Sequence, residues 1–600
     1  MPTVSDPQGG IIASPSGAEP LDALLVHLPF TELVSTQTPQ LGLLYVASSL
    51  RQAGFRTGVL DDPGLEAGSL LDYVRERRPR ILGFHVNTDS LPRVRRAIRL
   101  LRANNLEPPL IIFGGPHVAI EDEPLLAEGF GRVVVRGEGE HAAVEIASWF
   151  IHGRGSLESI LGITYRDADG CIRRNPDRPF VEDLDALPEP DTTMVLNSSK
   201  VRALEIITGR GCPFHCAFCA EGLAGIRYRF RSPESVLHEV RRLVGDQPRA
   251  YLGILDDTFL VDRKRVEAIA QGLLKEFGPA RLKWFCEGRA DFIVKHKDLF
   301  PLLGEAGLVR VQIGIESGSQ EVLDSYRKGI RLEDTEEAVE ILRDADILSI
   351  YGNLIVGGAL ESPETVRQSI DLAKRLIALA PGRMECTASI LGVFPGTAVA
   401  RDPARYGLKI IDPTMRRCVS LRHPVAVTER MSVIDILNAF HEFNREVALA
   451  EAEAIASIPS GVMRRQVELI FYGAKTHWAD VFLRSSAIKI YHGMLSRKEY
   501  HSMSKIAPES LLSMVPHRTG GIVEVEDGAL AVKAHPRKIL FNEMAGEIYE
   551  LCSGKLSVAE IVGVLRETRD FLPPEPVLTE HVIDVLRDMD EQFLLVFSDL

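Results

Sequence analysis

The chain has 600 residues, a length that by itself predicts roughly three or four domains. Apolar residues make up 45% and charged residues 25%, the balance of an ordinary globular protein. The formal net charge of −14 argues against a non-specific nucleic-acid binder, which needs a basic stripe, and eight cysteines, three of them within eight positions, suit a metal site better than a disulfide framework.

Met1 to Pro20 is rich in Pro, Gly and Ser, without the basic and apolar regions of a signal peptide, and is expected to be a disordered leader. No apolar run approaches the roughly 20 residues of a membrane helix. No membrane association is therefore expected, and the expected location is the cytoplasm.

From Leu21 to Ile151 short apolar runs alternate with helical stretches. Strands are predicted at Leu24–Leu28, Thr57–Leu60, Arg80–Val86, Leu110–Phe113 and Arg132–Val135, with a helix over Leu43–Ala53 ending at Gly54. This alternation predicts an α/β, doubly wound, Rossmann-like parallel sheet, with ligands at the C-terminal strand edge. The loops there carry Pro29-Phe30, Asn87-Thr88-Asp89, Gly114-Gly115-Pro116-His117 and Gly137-Glu138-Gly139-Glu140. Glycines at strand ends let a large ligand approach the backbone, although turn geometry alone also explains them. Residues 152–200 read as a connector with a small hairpin, Ile160–Tyr165 and Cys171–Arg174 around Asp169-Gly170.

Residues 201–400 repeat strand then helix. Strands are predicted at Ala203–Thr208, Ala250–Leu255, Arg281–Cys286, Val309–Ile315, Ser349–Val356 and Thr387–Val393. The pattern predicts a full or partial β/α barrel, whose chemistry lies at the strand C-terminal ends. Asp256 and Asp257, Glu287 and Arg289, Glu316 and Ser317, then Gly357, Gly358 and Glu361 fall there. The alternative for each charge is an ordinary rim salt bridge.

Near the barrel start, Cys212, Cys216 and Cys219 stand in the spacing C-x3-C-x2-C. Thiolates hold iron–sulfur clusters, and three ligands on a four-iron cubane leave one iron open. A zinc site is the alternative, but zinc usually takes four ligands in paired knuckles.

Residues 401–516 give amphipathic helices, among them Val433–Ala450 and Val462–Phe482, expected as a helical cap over the barrel mouth. Tyr472, His477 and Trp478 could line a pocket or simply pack there. From Arg518 short strands around Gly521–Val525 and Leu530–Ala534 meet at Asp527-Gly528, followed by three helical stretches. Asn542 is a predicted N-cap, and Gly554 follows the first of these helices.

The cysteine spacing closely resembles the signature of the radical S-adenosylmethionine (SAM) superfamily. Asp256-Asp257-Thr258-Phe259, Gly314-Ile315-Glu316-Ser317-Gly318-Ser319 with Arg327-Lys328-Gly329, and Phe394-Pro395-Gly396-Thr397 resemble further motifs of that family. The resemblance implies that Cys212, Cys216 and Cys219 hold a [4Fe-4S] cluster, and that Asp257, Arg289, Glu316 and Ser317 belong to the SAM site. The Gly-Gly-Glu turn of many members is absent, and Ala220-Glu221-Gly222 follows the last cysteine instead.

Gln40-Leu41-Gly42-Leu43-Leu44-Tyr45-Val46-Ala47, Gly114-Gly115-Pro116-His117 and Arg136-Gly137-Glu138-Gly139-Glu140 look like the cobalamin-binding domain of cobalamin-dependent (class B) radical SAM enzymes. The resemblance implies cobalamin contacts at Pro29, Leu41, Gly42, Asn87, Thr88, Gly114, Gly115, Pro116, His117, Gly137 and Glu138. The Asp-x-His-x-x-Gly motif of cobalt-ligating domains is missing, so His117 is not assigned to the cobalt.

Lys538-Ile539-Leu540-Phe541-Asn542, Leu551-Cys552-Ser553-Gly554-Lys555 and Val558-Ala559-Glu560-Ile561-Val562 resemble the small winged-helix PqqD-like peptide-recognition domain. Such a domain holds a precursor leader as an added strand, and a winged helix that binds nothing is the alternative. The resemblances imply a methyltransferase acting on an unreactive carbon of a ribosomal peptide precursor, of the kind made in antibiotic biosynthesis. One SAM supplies the methyl group through cobalamin; a second is cleaved to a radical that abstracts a substrate hydrogen. The implied partners are the leader and an electron donor of the flavodoxin or ferredoxin kind. A free amino acid such as tryptophan, or another small antibiotic precursor, is the enzymatic alternative; a cobalamin or iron–sulfur sensor is the non-enzymatic one.

Overall fold

The computed structural model describes residues 19–28, 40–61, 70–88, 90–197, 204–221, 227–412, 424–454 and 507–598, apart from short gaps in the last span, and isolated positions between 457 and 469. Pro29, Phe30, Asp89, Gly222, Tyr472, His477, Trp478, Gly521, Asp527, Gly528 and Gly554 lie outside the described residues, as do most of 1–20 and of 462–482.

The first sheet contains β1 (Ala23–His27), β2 (Thr57–Asp61), β3 (Ile81–His85), β4 (Leu110–Gly114) and β5 (Val133–Val135), all parallel, then β6 (Ile163–Arg166) and β7 (Ile172–Arg174), both antiparallel. The spatial order is 2-1-3-4-5-6-7. Strands such as Ala-Leu-Leu-Val-His are buried throughout because helices cover both faces. Helices Leu41–Gln52 and Glu140–His152 pack one core; Leu70–Arg77 and Leu91–Ala103 pack the other. The strand order reverses between β1 and β3, so their C-terminal ends open the crevice where such sheets bind ligands.

Residues 152–200 do more than connect. The hairpin β6–β7 pairs with β5 and extends the sheet. At the opposite edge Val195 bridges to Val59, the Leu196 N–H donates to the Val59 carbonyl at 2.9 Å, and Asn197 exchanges hydrogen bonds with the Asp61 backbone.

After β8 (Leu204–Ile206) comes a two-residue ribbon, β9 (Gly209–Arg210) with β10 (Arg229–Phe230), which brackets the cysteine loop. The second large sheet continues with β11 (Ala250–Ile254), β12 (Leu282–Gly288), β13 (Leu308–Glu316), β14 (Ser349–Val356) and β15 (Met384–Ile390). Together with β8 these form six parallel strands in sequential order, a partial β/α barrel. Its outer helices begin at side-chain caps: Ser232, Asp262 and Ser362 each accept a backbone N–H three residues on. Helix Val433–Ala454 packs against β15 and helix Pro363–Leu379, burying Ile436, Phe443 and Val447 in the barrel core. It takes the place of a helix following the sixth strand, on the barrel's flank, where the sequence predicts a cap over the mouth.

In the C-terminal module β16 (Val515–Arg518) pairs with the final strand, Leu595–Ser598. A three-stranded antiparallel sheet follows, β17 (Ile522–Glu526), β18 (Ala529–Ala534) and β19 (Arg537–Leu540). Helices Glu543–Leu551, Val558–Thr568 and Glu575–Glu591 share one core, and Asn542 caps the first by accepting the Ala545 N–H. Among the described residues no helix is long and apolar enough to cross a membrane.

Candidate active site at the domain junction

A cavity of about 490 Å³ lies between the C-terminal edge of the first sheet and the barrel mouth. Its first-domain wall includes Gly42, Thr88, Gly114, Gly115, Pro116, His117, Gly137 and Glu138; its barrel wall includes Arg210, Gly211, Ala220, Glu221, Asp257, Phe394 and Pro395. The strand order sets the first group at the crevice, and the barrel topology sets the second at strand ends.

The first-domain wall is mostly backbone and aliphatic surface. A side chain at Gly42, Gly114 or Gly137 would project into open space, so these positions leave room at the wall for a flat ligand. Gly115 is different: its φ is +107°, and a Cβ there would lie 2.8 Å from the Val86 backbone. Only glycine lets this loop fold back onto the end of β3. His117 Nδ1 pairs with Thr88 Oγ1 at 3.1 Å, and burial pushes its pKa down to about 4. His85 also lines the cavity; burial and the neighbouring His27 push it down to about 4, and its Nε2 meets Asn87 Oδ1 at 3.2 Å. Both imidazoles are therefore neutral near pH 7. Leu41 sits in the apolar core beside the cavity and Asn87 in the turn below it.

In the cysteine loop, Ala217 is buried, donates its N–H to the Tyr326 carbonyl at 2.8 Å and accepts the Val399 N–H at 3.1 Å. The Cys219 N–H donates to the Cys216 carbonyl at 3.1 Å. The Arg289 guanidinium stacks 3.6 Å from the Phe214 ring centroid while binding Asp291 and the Lys328 carbonyl. Burial pushes the Cys212 thiol up, a cost that metal ligation removes by taking the thiolate. Among the described residues no three His, Cys, Asp or Glu side chains converge on a single metal ion. A cubane spreads its thiolates over separate irons, so the C-x3-C-x2-C loop suits a cluster better than a tetrahedral zinc cage.

Acidic groups ring the mouth. Burial raises the Glu221 carboxyl, and the nearby Asp257 charge raises it further; burial raises Asp257 as well, against a hydrogen bond from the Gly211 backbone. Glu287, which accepts from Gln312 Nε2 at 3.2 Å, is pushed up to about 7 by burial and by Asp257 and Asp256. Asp256 accepts the Thr208 N–H and hydroxyl at 2.5 Å each, yet burial still lifts it to about 6. Burial, reinforced at Glu221 and Glu287 by neighbouring acidic charge, holds these carboxyls toward their protonated forms.

Other predicted residues stand apart from the cavity lining. Glu316, at a left-handed φ of 63°, forms a buried 2.7 Å ion pair with Lys328. Ser317 Oγ lies 3.3 Å from Ser369 Oγ and accepts the Ser319 N–H. Glu361 caps the loop after β14, accepting the Gly357 and Gly358 N–H groups. Arg136 ties β5 to the hairpin through Thr164, Asn175 and Asp177 and does not face the cavity. Sequence reasoning missed His85, hidden in an apolar strand, and Arg210 and Arg229, whose partners lie some 70 to 90 residues away.

A radical SAM superfamily model matches residues 206–373, and a B12 binding domain model matches residues 31–147. The chain thus carries a B12 binding domain followed by a radical SAM domain. The chain is 29% identical over 367 residues to an uncharacterized methyltransferase of Pyrococcus horikoshii, covering 59% of this chain and 78% of that one. It is 27% identical over 350 residues to an anaerobic magnesium-protoporphyrin IX monomethyl ester cyclase of Rubrivivax gelatinosus, covering 56% of this chain and 62% of the relative. Among solved structures, the radical SAM methyltransferase TsrM of Kitasatospora setae, with cobalamin and a [4Fe-4S] cluster bound, matches with a TM-score of 0.55 and 22% identity, over 64% of this chain and 80% of that one. The cobalamin-dependent SAM radical enzyme OxsB, with aqua-cobalamin and SAM bound, matches with a TM-score of 0.56 and 16% identity, over 97% of this chain and 82% of that one. These two likenesses establish the fold. The matched domains make the chain a SAM- and cobalamin-dependent enzyme, with a [4Fe-4S] cluster, SAM and cobalamin as its cofactors.

Proposed function

We propose that the protein transfers a methyl group from SAM to a carbon atom of a peptide precursor held in the junction cavity, with Cys212, Cys216 and Cys219 holding the cluster. The observation that carries this reading is the single cavity shared by the glycine turns of the first domain and the cysteine-loop end of the barrel. When bound, cobalamin supplies the methyl relay and the cluster supplies the electron that cleaves SAM. The chain's own residues do the positioning. Gly42, Gly114 and Gly137 leave room for a macrocycle, Leu25, Leu43, Val46 and Ile112 give it an apolar bed, and neutral His85 and His117 offer hydrogen bonds without charge. On the barrel side Asp257 and Arg289 are assigned to SAM, Glu316 and Ser317 to supporting its loop. Phe394 and Pro395 help close the cavity to water.

The peptide assignment rests on the C-terminal module, a three-stranded sheet with three helices that fits a PqqD-like leader-binding domain. A flavodoxin or ferredoxin is proposed as the electron donor. Anaerobic reconstitution with iron, sulfide and hydroxocobalamin tests the cofactor reading: about four irons and stoichiometric cobalamin are expected after desalting. A cluster without cobalamin would remove methyl transfer as the leading function. Deleting 518–600 tests the substrate: SAM cleavage should persist while turnover of a leader-bearing peptide falls, and unchanged turnover would refute leader capture. The second reading, a free amino acid, is favoured by the TsrM structure that holds tryptophan and a SAM analog.

A further inference from the structure

Arg210 and Arg229 are direct register partners across the β9–β10 ribbon that brackets the cysteine loop. Like charges directly opposite on an antiparallel ladder repel, and no acidic side chain of the ribbon itself compensates them. Their counter-charges come from the other domain. Glu138 accepts Arg210 Nη1 at 3.0 Å and Arg229 Nη1 at 2.9 Å, and Glu140 accepts Arg210 Nη2 at 2.6 Å. Both carboxylates stand in the Gly137–Glu140 turn at the end of β5. Glu138 also accepts the Val181 N–H at 2.6 Å, while Arg229 donates to the Val181 carbonyl at the same distance. The guanidinium of Arg210 lies 4.8 Å from the centroid of Tyr45 on the first helix, and that of Arg229 lies 4.9 Å from Phe180. Arg229 and Glu140 are almost fully buried, and Arg210 and Glu138 are mostly so. Charges this buried are stable only when paired.

Arg210 precedes Cys212 by two residues, and the residue between, Gly211, is in the left-handed region at φ 77°. The Glu138 side of the clamp, in turn, belongs to a turn that lines the cobalamin side of the cavity. We infer that Glu138 and Glu140 with Arg210 and Arg229 form an interdomain clamp, in which Arg210 is a positioning residue that makes the geometry of the cysteine loop depend on docking of the first domain. The ribbon is electrostatically complete only in the docked arrangement, so the two cofactor sites are set in register by one shared group of charges. The inference deepens the proposed function and rests on it only for its cofactor readouts.

The test reads each domain from a substitution in the other. In the full chain without cofactors, Glu138→Gln should raise amide hydrogen exchange across 205–221 and 227–231 by roughly tenfold, the effect of stranding a buried charge. In protein reconstituted with iron, sulfide and hydroxocobalamin, the same variant should change the electron paramagnetic resonance signal of the reduced cluster while keeping its iron. Arg210→Met should weaken cobalamin binding by roughly tenfold, and Arg210→Lys should recover only part of it, because an ammonium cannot serve two carboxylates and a ring as a planar guanidinium does. Exchange changes confined to 133–143, with an unaltered cluster signal and unaltered cobalamin affinity, would overturn the clamp. If Arg210→Met fails to fold, Glu138→Gln and Arg210→Lys still decide. A wild-type chain that takes up neither cofactor would count against the functional reading, and hydrogen exchange would still judge the clamp.

Discussion

Where the first domain meets the cavity it offers backbone, with Gly42, Gly114, Gly115 and Gly137 set among aliphatic side chains. Where the barrel meets the same cavity it offers ionisable groups, Glu221 and Asp257 with Glu287 and Arg289 nearby. The first wall selects by shape: a large ligand is admitted because side chains are missing. The second selects by charge and proton state, in a setting where burial has shifted most of its carboxyls upward. Substitutions on the two walls should therefore fail in different ways.

The largest expected effect belongs to the cysteine loop on the barrel side. Cys216→Ala should reduce iron from about four per chain to background, since two thiolates cannot hold a cubane; normal iron content would end the cluster assignment. On the shape-selective wall, Gly115→Val should cost about 2–4 kcal/mol, from a disfavoured φ plus a clash with the Val86 backbone. The first-domain unfolding transition and cobalamin retention should fall together, and a variant of unchanged stability would break the contrast between the walls.

A pH experiment reaches the barrel beyond the cavity lining. Burial lifts Glu361 to about 7 despite hydrogen bonds from Gly357 and Gly358. A carboxyl whose folded pKa is raised favours folding when protonated, so its stabilisation is full at low pH and is lost as pH rises through about 7. Between about pH 5 and about pH 8 the barrel of the wild type should lose on the order of 2–3 kcal/mol relative to Glu361→Gln. Parallel thermal unfolding of the two proteins across that range would refute the shift. The smallest effect lies outside both walls: Asn542→Ala should cost the C-terminal module about 1 kcal/mol through loss of its cap to Ala545. A change within error would mean that cap carries no load.

Much of this contrast was legible in the sequence, and the exceptions have physical reasons. The parallel strands announced themselves because strands buried on both faces are dominated by apolar residues, as Ala23–His27 and Val133–Val135 are. The glycine turns could be placed at the cavity because strand ends fix them there. Glu138 read as a candidate ligand residue; its engagement with Arg210 and Arg229 could not be read, because side-chain pairing across 72 and 91 residues leaves no periodic trace. Glu316 looked like a site residue, and its ion pair with Lys328 twelve positions on was within reach of inspection. Its left-handed backbone was not, since residues other than glycine seldom announce a positive φ.

The segment that joins the two large domains has a further consequence. By laying β6 and β7 against β5, and residues 195–197 against β2, it occupies both open edges of the first sheet. Unpaired edges are templates for intermolecular strand addition. A fragment cut at residue 151 would bare two of them and should aggregate, whereas one that runs through Asn197 keeps β2 covered and ends the other side at the three-residue β7, a short edge that resists such addition. The natural unit for isolating the cobalamin-binding domain thus ends nearly fifty residues beyond its last parallel-sheet helix, at Asn197.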